Sequence, residues 1–258
     1  MNRKAWSAVA IAVGLCGGQV AFAQSSLGTG TDATSARAHI KASTDSVAAA
    51  LVEVITPSDT VAPMVRHGAE PRLLRELAAN PDLSSLEETY PGITAAVQQA
   101  ALASIEQIVT RGYPSLAARQ RDLLATEFTP KELTELLAFL SGPAARHMSA
   151  LEREAVHGQA GSSNLAQLGD KSAQGNLTSQ DLRTAMPQPH FEKLSPLEVA
   201  EINKFSVSPT GRKYTAFIPR WTGVLSGWIN EIAPSGQAEL RNVVLNTVNS
   251  YTAMHSKK

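Results

Sequence analysis

Cysteine is nearly missing from this chain of 258 residues, and the only one, Cys16, falls within the first 23. If those residues are removed, disulfides, thiolate metal sites and a cysteine nucleophile are excluded together. A net charge of either sign is missing as well, since 23 Lys plus Arg face 23 Asp plus Glu. Residues 1–23 hold Arg3 and Lys4 and no acid, so the remainder carries 21 basic and 23 acidic residues, a net charge of −2. That balance argues against a basic nucleic-acid face or a polybasic membrane surface. Aromatics make up only 5% of the chain, and no apolar run reaches the roughly 20 residues a spanning helix needs. The 235 residues after position 23 are enough for one sizeable core or two small ones.

What is present begins with an export signal. Arg3 and Lys4 supply a charged start, Ala5 to Leu15 an apolar stretch, and Ala21-Phe22-Ala23 a small-x-small cleavage site. The reading is a signal peptide over 1–23, cleaved after Ala23 to leave Gln24 first. Lipidation of Cys16 is the alternative, but Leu15 stands where a lipobox carries a small residue. An exported chain without cysteine fits a bacterial periplasm, so that is the expected compartment.

Helical periodicity dominates the rest. Ile40, Val47, Leu51 and Val54 share a face over Thr34 to Ile55, which stops at Thr56-Pro57. Ile93 to Val109 repeats the pattern, and Gly112 with Pro114 reads as a break before a further helix through Leu116, Leu123 and Leu124. Sustained alternation of β-branched and polar residues is absent, so the expected class is all-α. Gly158 to Pro189 turns to Gly, Ser, Asn and Gln and reads as a polar linker, with one short capped helix over Thr178 to Ala185. The implied organisation is a helical lobe over 24–157, a linker over 158–189 and a second lobe over 190–258.

An internal duplication spans the linker. Phe128 to Met148 aligns with Leu194 to Tyr214 at an offset of 66 without a gap. Six of 21 positions are identical: Pro130/Pro196, Glu132/Glu198, Glu135/Glu201, Phe139/Phe205, Pro143/Pro209 and Arg146/Arg212. Thr129 and Ser195 are placed to cap a helix, the following prolines suit its first position, and Glu132 and Glu198 complete capping boxes. Leu133, Leu136, Leu137 and Leu140 form the apolar face of the first copy, and Val199, Ile202 and Phe205 that of the second. Each unit reads as helix, tight corner, second helix, with Phe139 and Phe205 expected in the core.

The unit resembles a bacterial periplasmic family, domain of unknown function 2059. The pattern is carried by Leu194, Ser195, Glu198, Val199, Ile202, Phe205, Ser208, Pro209, Gly211 and Arg212. The first copy departs from it, with Gly142 in place of the serine and Ala145 in place of the glycine. The resemblance covers about a third of the chain and implies helices and a periplasmic setting. It assigns no catalytic residue.

Signs of chemistry are sparse. None of the six histidines (His39, His67, His147, His157, His190 and His255) has another four residues away, so a helical zinc site is unsupported. His147 and His157 with Glu152 and Glu154 could converge only if the chain folded back near Gly158. The local signatures G-x-S-x-G, G-x-x-x-x-G-K-[ST], G-x-G-x-x-G and S-x-x-K are all missing. Glu87 with Glu88 and Glu132 with Glu135 read as surface or capping groups. No catalytic residue, cofactor site or metal site is assigned.

Two features remain as candidate interaction residues. Arg146 and Arg212 could clamp an anion, or else lie along the apolar seam and pair with Glu135 or Glu201. Phe217, Ile218, Trp221, Val224, Leu225, Trp228, Ile229 and Ile232 form a broad apolar stripe. The plain reading packs it on the Val199 to Phe205 helix and on a C-terminal helix through Leu240, Val243, Val244 and Val248. Otherwise Trp221 and Trp228 anchor a partner. The functional expectation is a non-catalytic periplasmic module that binds an envelope protein or itself, with a metal-independent hydrolase of dispersed residues as the alternative.

Overall fold

The computed structural model describes residues 33–157, 171, 176–185 and 191–256. Residues 1–23, on which the expected export signal and Cys16 fall, and most of the 158–189 segment lie outside the described residues. Those described fold as α1 Ala33–Ile55, α2 Ser58–Ala78, α3 Pro81–Thr89, α4 Ile93–Glu127, α5 Pro130–Leu140, α6 Pro143–His157, α7 Ser179–Ala185, a 3-10 turn Phe191–Lys193, α8 Pro196–Ser206 and α9 Pro209–His255. Among the described residues there is no strand. The chain is all-α.

Two long helices organise the rest. α4 has 35 residues and α9 has 47, about 50 Å and 70 Å of helix. They run antiparallel along each other, with ion pairs Arg111–Glu239 and Arg119–Glu231 along the seam and Arg220–Glu127 at its far end. Gly112 sits on the α4 face that meets Trp228, where a Cβ would come within 2.9 Å of the indole ring. The indole Nε1–H donates to the Gly112 carbonyl at 3.2 Å and to Ser115 Oγ at 3.1 Å.

These helices pass through two apolar clusters. In the first, α2, α3 and α4 pack Val65, Leu73, Val97, Ile105 and Leu116 against Leu225, Trp228, Ile229, Leu240 and Val244 of α9. In the second, Leu51 and Val52 of α1 meet Leu124, Phe128, Leu133, Leu136, Phe217 and Trp221. Residues on both sides of 158–189 therefore share both clusters.

Proline did not break the long helices. The sequence placed an interruption at Gly112 and Pro114, but α4 continues through them. The apolar stripe and the C-terminal helix, expected to pack on one another, are one helix that includes Pro219 and Pro234. Each interior proline costs about 3 kcal/mol. Against that, α9 buries Phe217, Trp221, Leu225, Trp228, Ile229, Leu240 and Val244, each contributing about 1.5–3 kcal/mol. Burial wins by a wide margin, and it is α4 that covers the stripe.

The short α7 docks on α9. Leu177 and Leu182 enter the first cluster, and the Asn230 side chain accepts from the Leu177 N–H at 3.3 Å and donates to its carbonyl at 2.9 Å. Thr178 and Asp181 cap the helix reciprocally, and Lys171 together with that cap pulls the Asp181 carboxyl down to about 2.

Candidate functional site

The two aligned units are each built from their caps outward. Thr129 Oγ1 accepts from the Glu132 N–H at 3.3 Å, and the Glu132 carboxylate accepts from the Thr129 N–H at 2.8 Å. Ser195 and Glu198 repeat both bonds at the same two distances. Pro130 and Pro196 hold the first helical positions. Local chemistry alone sets both helix starts, so they were readable from sequence.

The two units meet side against side. Lys213 Nζ lies 2.6 Å from Glu132 Oε2, and His147 Nδ1 lies 2.8 Å from Glu198 Oε1. Thr210 Oγ1 donates to Glu135 Oε2 at 2.5 Å. The rings of Phe139 and Phe205 stack with centroids 3.8 Å apart and planes 6° from parallel. Both phenylalanines are half-buried rather than fully buried core residues, Phe205 at the margin of the second apolar cluster. Lys213 also stands over the Phe128 ring at 5.2 Å.

Electrostatics follow from these contacts. Lys213 and the Thr129 backbone hold the Glu132 carboxyl below the usual range. The Ser195 backbone and hydroxyl, and then His147, draw Glu198 down to about 2. Both carboxylates are thus committed as charged acceptors.

Burial differs sharply between the copies. α5 sinks Leu133 and Leu136 against α1. In α8, Val199 and Ile202 are only half-buried, and the helix buries no residue fully. The cause is visible in the alignment: Leu137 and Leu140 of the first copy become Asn203 and Ser206 in the second, both exposed.

Of the four candidate interaction residues, two are exposed and two are not. Arg146 and Arg212 lie at the surface. Neither takes the carboxylate partner expected from sequence. Arg212 Nη1 donates to the Val207 carbonyl at 2.5 Å, while Glu135 is occupied by Thr210 and faces Lys131 at 3.9 Å. Trp221 and Trp228 are 2% and 0% exposed, so they are core and offer a partner no anchor. The sequence reading overlooked Leu197 and Val207, 83% and 67% exposed at the two ends of α8. A signal for them existed: they replace Lys131 and Ser141 of the first copy.

Among the described residues no group of three or more His, Cys, Asp and Glu could hold a metal ion. The side chains of Glu152, Glu154 and His157 lie outside those described. Glu87 caps α4, accepting from the Gly92 N–H at 2.6 Å and the Thr94 N–H at 2.8 Å, and the Thr94 side chain, followed by these two backbone bonds, lowers its pKa. No described helix is long and apolar enough to cross a membrane.

Comparison with known proteins leaves these residues to speak for themselves: no family model, no curated protein and no solved structure matches the chain.

Proposed function

We propose that this is an exported periplasmic helical protein that acts by binding an envelope protein, and that the α8 corner of its second repeat is the docking point. The observation that carries the reading is the exposure of Leu197 and Val207 at either end of a helix with no buried residue. The Arg212 guanidinium is held at the same corner by the Val207 carbonyl, which adds a fixed donor beside an exposed apolar side chain. Large exposed aliphatic groups rimmed by polar ones suit a protein partner. The Ala21-Phe22-Ala23 site and the resemblance of Leu194 to Arg212 to a periplasmic family support the compartment.

The hydrolase alternative has less support. A general base must be free to take a proton. Glu132 and Glu198, the carboxylates at the unit junction, are each engaged by a cap and by Lys213 or His147, and both are held in the charged form.

The reading is tested with a photo-crosslinking amino acid at Leu197 or Val207 in the exported protein, with mass spectrometry of the adducts. One recurrent envelope partner, lost on Arg212→Ala or Val207→Lys, is the expected result. Adducts no different from those formed through Lys131 would overturn it.

A further inference from the structure

We infer that the helix-corner-helix unit is a self-recognition module, and that its two copies here form an internal pair related by an approximate two-fold axis. The inference is independent of any docking at Leu197 and Val207.

The argument rests on reciprocity. When two identical units pack head to tail, one surface of the first meets a different surface of the second. When they pack about a two-fold axis, every contact of residue i with residue j is matched by one of j with i. Here the offset of 66 pairs Glu132 with Glu198 and His147 with Lys213. Exchanging the copies turns the Glu132–Lys213 contact at 2.6 Å into the Glu198–His147 contact at 2.8 Å. The same exchange turns the packing of α6 on α8 into that of α9 on α5, and both are present. The stack of Phe139 on Phe205 maps onto itself, as a contact on the axis must.

One departure follows the same plan. Thr210 donates to Glu135, but its counterpart Ala144 has no hydroxyl to offer Glu201. Glu201 Oε1 nevertheless lies 3.2 Å from where a Cβ on Gly142 would stand, so that carboxylate too rests against the start of the facing helix. Chemistry has drifted while position has not.

A surface that reciprocates its contacts is complementary to itself, so the partner the unit fits is a second unit. In this chain the partner is supplied in cis, where a tether between the copies raises its effective concentration far above that of a free chain. The duplication therefore reads as a fused homodimer whose outer faces have since diverged, one covered by α1 and the other made polar by Asn203 and Ser206.

The test uses the full chain with Cys16→Ser, Phe139→Cys and Phe205→Cys, treated with a short bis-maleimide. A single-chain mass plus one bridging linker is expected. Two separately capped thiols, or a covalent dimer of chains, would overturn the internal pairing. Thermal melts cover the case in which the cysteines disturb folding. Lys213→Glu and His147→Glu each place a like charge against a carboxylate and should lower Tm by about 2–4 °C. Glu132→Gln and Glu198→Gln, which retain the capping box, should each recover most of that loss in its own pair. His147→Lys, which copies the other half of the pair, should leave Tm unchanged. A loss at one pair with none at the other would show that the contacts do not reciprocate.

Discussion

A single hydrogen in place of a methyl group at Gly211 lets the corner after Phe205 close, because a Cβ there would fall inside the van der Waals shell of the Phe205 carbonyl oxygen. Backbone cannot yield as a flexible side chain can. Gly211→Ala should therefore cost about 1–3 kcal/mol, read by urea denaturation. The stacked phenylalanines are cheaper to lose than full core residues. Phe205→Ala should cost about 2–3 kcal/mol, below the 3–5 kcal/mol typical of a buried phenylalanine, with about 1 kcal/mol of coupling to Phe139→Ala in a double-mutant cycle. Ser195→Ala should cost about 1 kcal/mol, since it removes one cap acceptor, and Arg212→Ala should leave Tm within a few degrees. Gln120 reverses the usual sign. Its amide is fully buried and neither Nε2 nor Oε1 finds a partner among the described residues. Gln120→Met should be neutral or stabilising by up to about 2 kcal/mol, whereas Leu124→Ala, one turn along the same buried stripe, should cost about 2–5 kcal/mol.

At the scale of the element, charge and capping act together at the start of α8. The folded pKa of Glu198 is depressed to about 2, so its contribution is complete above the usual value of 4.5 and is lost as pH falls through the folded value. A carboxyl carbon titration followed by NMR should place the Glu198 midpoint near pH 2. His147→Ala should raise it only in part, because the Ser195 backbone and hydroxyl bonds lower it more than His147 does. Sequence gave ready access to elements of this kind. Thr129-Pro130-x-Glu132 and Ser195-Pro196-x-Glu198 specify a helix start within four residues, so tertiary packing has little left to decide. It failed where packing overrules local signals. Pro63 and Pro71 concealed α2, Pro114 suggested an end that the buried face of α4 overrides, and the stripe around Pro219 and the helix after Pro234 are one continuous α9. The exposed pair Leu197 and Val207 was hidden differently, since an apolar residue beside an apolar face is assumed to join it.

Over the whole molecule, α4 and α9 run through both clusters and should couple them into one cooperative unit. Each cluster holds one tryptophan, Trp228 in the first and Trp221 in the second, while the third, Trp6, lies within residues 1–23. Fluorescence of Trp221→Phe and Trp228→Phe variants without residues 1–23 thus reports the clusters one at a time. Their urea midpoints should coincide once each variant's own stability loss is allowed for, as an all-or-none transition requires. Separate transitions would support the two-lobe organisation. The seam between α4 and α9 also bears on the order in which the chain is made. Helical proteins commonly fold fast because their contacts are local, but here Gly112 waits for Trp228 and Arg111 for Glu239, 116 and 128 residues later. Val61 and Val65 share a cluster with Leu240 and Val244, which leave the ribosome about 180 residues behind them. At about 5–20 residues per second, that is roughly ten seconds or more in which the faces that α2 and α4 turn toward α9 stay uncovered. Until α9 arrives the growing chain exposes the kind of apolar surface that a holding chaperone covers, whichever compartment it is bound for.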